Sequence, residues 1–284
     1  MEETHSLIPM AICYDFDGTL APGNMQEYGF FEKLGVVAQD FWRQSNESGK
    51  AQKADMILSY MKLMKEEAEK HHLPFGKEDL RSYASKVKLY PGVIDWFKRM
   101  NLYALEKGVA LEHYIISSGL KEMVEGTVIA PYFKEVFASS FMYDEKGNAA
   151  WPGLVVNYTN KTQFLYRVNK GCLDVSDDDT LNRHMDDDEK PIPFTNMIYI
   201  GDGQTDIPSM KTVKREGGHT IAVFASDNEW QRNNVKQMLG IERADIIAPA
   251  DYRENQPIDL FVKGVIDKII ADARLKKLQQ TLTK

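Results

Sequence analysis

Residues 11–20 read AICYDFDGTL, an apolar run that ends in two acidic residues and a glycine. The stretch from Ala11 to Tyr14 is short and apolar, which is typical of a buried strand that opens into a turn. Asp15 and Asp17 follow it with a single residue between them. Two carboxylates at a strand end need a cation, a proton or hydrogen-bond donors to offset their repulsion. The stretch therefore predicts a chemical site where the strand ends.

The composition is that of an ordinary globular protein and limits the classes of partner. The 284 residues are 43% hydrophobic and 27% charged, with a net charge of −7, which suits one large domain or two smaller ones. This negative net charge argues against binding of nucleic acid, which would require a basic face. No apolar run approaches the roughly 18 residues of a membrane span, and the first residues lack the positive charge of a secretory signal. We therefore expect a cytoplasmic protein that binds neither nucleic acid nor membranes.

Short apolar runs alternate with helical patterns along most of the chain. The runs are bounded by Gly, Ser or Asp and predict buried strands at residues 11–16, 113–117, 197–201, 220–224 and 244–248. Between or after them, helical patterns occupy residues 91–107, 121–129, 160–169, 207–213 and 263–282. This alternation predicts an α/β fold with a doubly wound parallel sheet. Ligands of such sheets bind beyond the carboxyl ends of the strands.

Residues 24–89 do not show this alternation of strands and helices, because their patterns are all helical. The predicted helices cover residues 24–34, 38–46, 52–71 and 77–88. Since the block is inserted between the first strand and the second, we expect a small helical cap. The predicted domains are therefore an α/β core of residues 1–22 and 90–284, and a cap of residues 23–89.

Two further segments have patterns of their own. Residues 137–158 look like two extended arms around a turn at residues 144–148, which predicts a hairpin. Residues 174–188 are rich in aspartate, which would also suit a calcium loop. They lack the alternating ligands and central glycine of an EF-hand, so we interpret them as a solvated surface loop.

Four polar elements stand at predicted strand ends or helix starts. Each has a simpler explanation, because Asp-Gly after a strand is usually only a turn and a lone Ser-Gly or Lys carries little information. The combination in this order seldom arises from turn chemistry alone. The elements are DFDGT at 15–19, YIISSG at 114–119, Lys161, and MIYIGDGQTD at 197–206.

These motifs resemble those of the haloacid dehalogenase-like (HAD) superfamily of hydrolases. DFDGTL at 15–20 is similar to the family's first motif and GDGQTD at 201–206 to its fourth. Ser117 and Lys161 correspond by position to the second and third motifs. The resemblance extends from about residue 10 to about residue 250. It implies a Rossmann-like core with a C1-type helical cap, similar to the phosphoserine phosphatase-like branch.

The resemblance also implies roles that the chemistry of the residues supports. Asp15 would be the nucleophile that forms an aspartyl-phosphate. Asp17 would act first as general acid and then as general base. An Asp at that position fits phosphatases and phosphomutases better than dehalogenases. We therefore expect a magnesium-dependent phosphatase of a small-molecule phosphomonoester.

The same resemblance implies which residues hold the metal and the phosphate. Mg²⁺ would bind the Asp15 carboxylate, the Asp17 carbonyl and the Asp202 carboxylate, since this ion prefers hard oxygen ligands. Asp206 would complete the metal site by holding a metal-bound water or the Lys161 ammonium. The implied phosphate-binding residues are Thr19, Ser117, Ser118, Gly119 and Lys161.

Two alternatives remain open at this point. A phosphomutase or phosphotransferase would pass the phosphoryl group to a second hydroxyl. A catalytically silent binding protein could keep the fold, although intact Asp15, Asp17, Lys161 and Asp202 argue against it.

The substrate itself is open, because the chain departs from phosphoserine phosphatases at two places. Those enzymes carry Glu nine residues after the nucleophile, where this chain has Asn24, and Ala-Asn where it has Gln204-Thr205. Both departures argue against phosphoserine as the substrate. Specificity should reside in the cap, where the candidate residues are Asn24, Glu27, Arg43, Lys50 and Lys53.

Overall fold

One seven-stranded sheet forms the centre of the computed structural model, which describes residues 7–226, 232–233 and 244–282. Its described strands are β1 Ile8–Tyr14, β2 Val109–Leu120, β3 Phe133–Tyr143, β4 Ala149–Leu154, β5 Met197–Gly201, β6 His219–Phe224 and β7 Ile246–Pro249. Their order across the sheet is β4-β3-β2-β1-β5-β6-β7. The five predicted strands and the predicted hairpin are all present. Residues 1–6, on which the expectation of no secretory signal rests, lie outside the described part.

The sheet is parallel except at one edge, where β3 and β4 form the antiparallel hairpin. Strand β1 lies in the middle, with β2 on one side and β5 on the other. The chain winds outward from β1 in both directions, so β1 marks the topological switch point of a doubly wound sheet. The sequence beyond the carboxyl end of β1 is Asp15-Phe16-Asp17.

The helices fall into two groups. Between β1 and β2 lie α1 Phe30–Leu34, α2 Ala38–Gln52, α3 Met56–Lys70, α4 Lys77–Tyr83 and α5 Val93–Glu106. The later helices are α6 Lys121–Glu125, α7 Lys161–Lys170, α8 Asp178–Asn182, α9 Ile207–Arg215 and α10 Pro257–Leu282. No described helix combines the length and the apolar character needed to cross a membrane.

Both faces of β1 are buried, which explains its continuous apolar sequence. Met10, Ile12 and Tyr14 face a core that includes residues of α5 and α10. Ala11 and Cys13 face a second core that includes residues of α7 and α9. Burial also raises the pKa of the Cys13 thiol, so this cysteine is a small apolar residue of the core.

One predicted helix, at residues 52–71, begins later than expected. Helix α2 continues to Gln52, and α3 starts at Met56 because Asp55 caps it. The Oδ1 atom of Asp55 accepts hydrogen bonds from the amides of Ile57 at 2.8 Å and Leu58 at 3.1 Å. An aspartate at this position satisfies amides that have no partner within the helix. The predicted helix at 24–34 is likewise reduced to a short 3-10 turn, Met25–Glu27, followed by α1.

The acid-rich segment at 174–188 contains α8 and is held to the core by a buried arginine. The Arg167 guanidinium donates hydrogen bonds to the carbonyls of Asp174, Val175 and Asp177. Most of the aspartates of the segment are exposed.

A chain of buried polar side chains crosses the core behind β1. The Trp96 indole donates to the Tyr14 hydroxyl at 2.8 Å, and that hydroxyl lies 3.0 Å from Nδ1 of His113. The other ring nitrogen, Nε2, lies 2.9 Å from Oδ1 of Asn101. Because the Tyr14 oxygen already accepts from Trp96, its proton points to Nδ1, and His113 is neutral with its proton on Nε2. Burial lowers the pKa of His113 to about 3.

This histidine should make the protein sensitive to acid. The folded pKa lies below the ordinary value of about 6.5, so the unfolded chain binds a proton at acid pH that the folded chain does not. The contribution of His113 to the free energy of unfolding is therefore fully present above about pH 6.5 and is lost as the pH drops toward 3. At pH 5 the loss from His113 amounts to about 2 kcal/mol.

We expect His113→Gln to remove this part of the acid sensitivity. The free energy of unfolding, measured by urea titration at pH 7.5 and pH 5, should fall by about 2 kcal/mol less in the variant than in the wild type. His184→Gln serves as the control, since His184 is 89% exposed. An unchanged pH dependence in His113→Gln would contradict the neutral state of the buried ring.

Candidate active site

The carboxyl ends of three neighbouring strands bring the predicted site residues together. Asp15 follows β1, Ser117 lies near the end of β2, and Asp202 follows β5. Because β1 pairs with both β2 and β5, the three residues meet at one edge of the sheet. The backbone of Asp15 is fixed there by its amide, which donates to the carbonyl of Ile200 at 2.9 Å.

A buried lysine joins two of the acids. The Nζ atom of Lys161, the first residue of α7, lies 3.0 Å from Oδ2 of Asp15 and 2.8 Å from Oδ1 of Asp206. The Tyr199 hydroxyl donates to the same Asp206 oxygen at 2.7 Å. All three charged side chains are buried, where an unpaired charge would be costly. The lysine is therefore fixed beside Asp15 by the acid that opens α9.

The acids form a cluster with the chemistry of a metal site. Oxygen atoms of Asp15, Asp202 and Asp206 all lie within 4.8 Å of one another. Asp17 adds a fourth carboxylate. Among the described residues, Lys161 is the ammonium that pairs with this cluster. This excess of negative charge and this oxygen donor set suit a divalent cation such as Mg²⁺.

Gly18 leaves the space that the cluster needs. Its φ angle is 74°, and a Cβ atom at this position would lie 2.1 Å from Oδ2 of Asp202. Any other residue would therefore strain the backbone and displace the Asp202 carboxylate.

Burial and mutual repulsion change the protonation of the acids. Burial raises the pKa of Asp15 to about 6, against the attraction of the Lys161 ammonium. Burial, together with the charge of Asp15, raises the pKa of Asp17 well above its usual range. Burial and the charges of Asp206 and Asp15 do the same for Asp202. The pKa of Lys161 is raised although burial acts to lower it, because Asp15 and Asp206 outweigh burial.

The loop that follows β2 is fixed from the core and from the predicted cap, residues 23–89. The Ser117 side chain is buried, and its Oγ accepts a hydrogen bond from the Gly119 amide at 3.1 Å. The Ser118 carbonyl accepts from the hydroxyl of Tyr60, on α3 of the cap, at 2.7 Å and from Ser139 at 3.3 Å. A carbonyl held in this way also fixes the orientation of the peptide it shares with Gly119.

Asp17 sits between the core and the start of the cap. Its Oδ1 accepts a hydrogen bond from the amide of Met25 at 2.8 Å. Its side chain is partly exposed and lines a cavity of about 690 Å³ that also contacts Asp15 and Asp202. The cavity continues upward to the cap, where its wall includes Trp42 and Tyr60.

Four of the five cap residues proposed to set specificity, all except Asn24, do not line this cavity. Arg43 pairs with Asp40 and Glu47 on the outer face of α2. Lys50 and Lys53 are exposed and do not line the cavity. Asn24 does line it, and its Nδ2 donates to Glu27 at 2.6 Å. Of these candidates it is therefore the Asn24 amide, and not a cation, that the predicted cap presents to the cavity.

Thr19 stays apart from the other predicted phosphate-binding residues. Its side chain is fully buried, does not line the cavity, and its hydroxyl has no hydrogen-bond partner among the described residues. Its carbonyl accepts a hydrogen bond from Tyr252 at 2.9 Å. This position fits a residue that supports the turn after β1.

The comparison with protein families agrees with these motifs. A family model described as haloacid dehalogenase-like hydrolase matches residues 12–211, more than half of the chain. The chain belongs to this family of hydrolases. The resemblance inferred from DFDGTL and GDGQTD is thus confirmed, and so is the α/β fold class.

Similar proteins extend the match beyond the motifs. An uncharacterized protein of Borreliella burgdorferi is 26% identical over 283 residues, which cover 89% of this chain and 94% of that protein. A HAD family hydrolase from Salmonella enterica serovar Typhi has a TM-score of 0.56 at 17% identity, covering 90% of this chain and 71% of the other. A phosphoserine phosphatase, solved as a phospho-aspartyl intermediate analogue, has a TM-score of 0.52 at 16% identity, covering 84% and 93%. At these identities the two solved structures show a shared fold.

Replacement of one acid should separate metal binding from stability. In metal-free protein we expect Asp202→Asn to have a Tm no lower than that of the wild type, because one of several repelling carboxylates is removed. Addition of Mg²⁺ at ten times its Kd should stabilise the wild type by about 1.4 kcal/mol, or a few degrees in Tm. The variant should show almost no response.

Thermal unfolding with and without Mg²⁺ provides the measurement. Asp187→Asn is the control, since Asp187 lies in the exposed acidic segment and is 98% exposed. An equal response to Mg²⁺ in Asp202→Asn and the wild type would exclude the cluster as the metal site.

Proposed function

We propose that this hydrolase is a magnesium-dependent phosphatase that cleaves a small phosphomonoester through an aspartyl-phosphate on Asp15. The observation that supports this most is the placement of Asp15 beside a buried Lys161, at the edge of a carboxylate cluster that opens into a cavity. A nucleophilic carboxylate needs a neighbouring positive charge when it approaches an anionic phosphate. Lys161 supplies that charge directly.

Both carboxylate oxygens of Asp15 are positioned by neighbouring groups. Its Oδ1 accepts a hydrogen bond from the Phe16 amide at 2.8 Å, and its Oδ2 faces Lys161. With a pKa of about 6, the carboxylate is mostly ionised at neutral pH. One of its oxygens would form the bond to phosphorus while the bond from phosphorus to the leaving alcohol breaks.

Asp17 is suited to move the proton in both halves of the reaction. Its raised pKa favours the protonated acid, which would donate its proton to the leaving oxygen. The resulting carboxylate would then accept a proton from the water that attacks the aspartyl-phosphate. The hydrogen bond from the Met25 amide holds this side chain at the cavity wall.

The remaining groups would bind the phosphoryl oxygens. Lys161, the Ser117 hydroxyl and the Ser118 amide are the proposed donors. The Gly119 amide, which donates to Ser117 Oγ in this structure, would turn to the phosphate when it binds. When bound by Asp15, Asp202 and the Asp17 carbonyl, Mg²⁺ would supply further positive charge for the phosphate. Asp206 would keep Lys161 charged and in place.

Asp15→Asn should abolish hydrolysis, because an amide is not a competent nucleophile here. We expect at least about a thousandfold loss of kcat on an aryl phosphate. Assays with and without Mg²⁺ should report released alcohol and free phosphate separately. Equal amounts indicate a phosphatase, whereas excess alcohol would indicate transfer to a second acceptor. Equal inactivity of the wild type and Asp15→Asn on a broad phosphomonoester panel would contradict the proposal.

Asp17→Asn should reduce turnover without a matching loss of binding. The amide keeps the size of the side chain but cannot donate an acidic proton, so kcat should fall about a hundredfold or more while KM changes little. The loss should be smaller for an aryl phosphate with an acidic leaving group, which needs less protonation. Similar losses for good and poor leaving groups would exclude the proposed acid role.

A further inference from the structure

We propose that the substrate is a phosphomonoester whose leaving alcohol carries no second anionic group. The proposal rests on the proposed phosphatase function and concerns the cap-side part of the same cavity. There the leaving group would meet a wall that contains a fixed carboxylate and, among the described residues, no positive charge.

One part of the cap-side wall of the cavity is apolar and aromatic. Trp42, Met56, Ile57 and Tyr60 contribute to it. The rings of Trp42 and Tyr60 meet edge to face with their centroids 5.7 Å apart. Such a surface gains free energy by covering carbon atoms of the leaving group.

The polar groups on the same wall are acceptors or neutral amides. Asn24, Gln26 and Asn157 are uncharged. Among the described residues of the wall, Asp55 is the charged residue that belongs to the cap. The side-chain oxygen of the buried Gln26 has no hydrogen-bond partner in the described structure. The side-chain amides of Asn24 and Asn157 donate to Glu27 and Asp55. A leaving group with hydroxyl or ammonium donors therefore suits the remaining acceptors, whereas a carboxylate or second phosphate is repelled by Asp55.

Asp55 cannot easily turn away from the cavity. Its Oδ1 caps α3 through the amides of Ile57 and Leu58, and its Oδ2 accepts from Nδ2 of Asn157, in the core, at 2.8 Å. Movement of the carboxylate would break the helix cap and a contact between cap and core. A second anion in the substrate would therefore lie near a fixed negative charge.

No described lysine or arginine lines this wall, and Lys50 and Lys53 are exposed. Lys161 is fully buried and is paired with Asp15 and Asp206 at the proposed phosphate site. Arg43 pairs with acids on the outer face of α2. A buried anion without a partner is strongly disfavoured, so the wall should discriminate against anionic leaving groups.

The test is a substrate panel that contains pairs differing by one carboxylate. Phosphoethanolamine and phosphoserine form one pair, and glycerol 3-phosphate and 3-phosphoglycerate form the other. An aryl phosphate and nucleoside 5′-monophosphates represent larger neutral leaving groups. The expected result is that the best substrate has no second anion, and that each carboxylate lowers kcat/KM at least about tenfold.

A charge added to the wall should change this preference. We expect Ile57→Arg to raise the ratio of kcat/KM for phosphoserine to that for phosphoethanolamine about tenfold, because it gives the carboxylate a partner. Ile57→Met controls for lost packing. Val37→Arg adds the same charge to the cap at a residue that is 63% exposed and does not line the cavity, so it should leave the ratio unchanged.

The possible outcomes separate this proposal from the proposed function. Hydrolysis with a best substrate that carries a second anion would overturn the present proposal and leave the phosphatase function standing. An equal change of the ratio in Ile57→Arg and Val37→Arg would also overturn it, because the cavity wall would then not be responsible. Absence of hydrolysis on every ester, the aryl phosphate included, would contradict the phosphatase function and this proposal with it.

Discussion

The contact of one buried ammonium with two buried carboxylates is the constraint on which the site depends. Lys161 lies between Asp15 and Asp206, and each of the three would be costly to bury alone. To form this contact, the end of β1, the start of α7 and the start of α9 must come together. Asp202 and Asp17 add negative charge that one lysine cannot balance, and this imbalance is why a divalent cation fits the site.

The predicted cap, residues 23–89, contacts the site through hydrogen bonds that also orient it. Tyr60 donates to the Ser118 carbonyl in the loop proposed to bind phosphate, and Asp55 accepts from Asn157, four residues before Lys161. Cap and core therefore share hydrogen bonds at two places on the cavity wall, at Ser118 and at Asn157. The same cap residues form the wall that the leaving group would contact, so closure and selectivity would depend on one surface.

The sequence was most informative where burial produces a simple pattern. Strands buried on both faces are continuous apolar runs, so β1 and β5 could be predicted together with the acids that follow them. The contacts from Tyr60 to Ser118 and from Asn157 to Asp55 join residues 58 and 102 positions apart, and no local pattern indicates them. Helical periodicity likewise could not tell that Arg43 lies away from the cavity. The late start of α3 could have been found, because Ala54-Asp55 before an apolar stripe is a capping pattern.

Covalent transfer of the phosphoryl group to Asp15 is the step on which all the proposed roles depend. Its most direct test is rapid acid quenching during turnover, followed by mass spectrometry of the peptide that contains residues 11–20. We expect the mass of one phosphoryl group on Asp15, lost on treatment with hydroxylamine, and more of it in Asp17→Asn if hydrolysis of the intermediate becomes slow. Hydrolysis of substrate with no phosphoryl group on Asp15 at any quench time, in the wild type or in Asp17→Asn, would contradict the nucleophilic role.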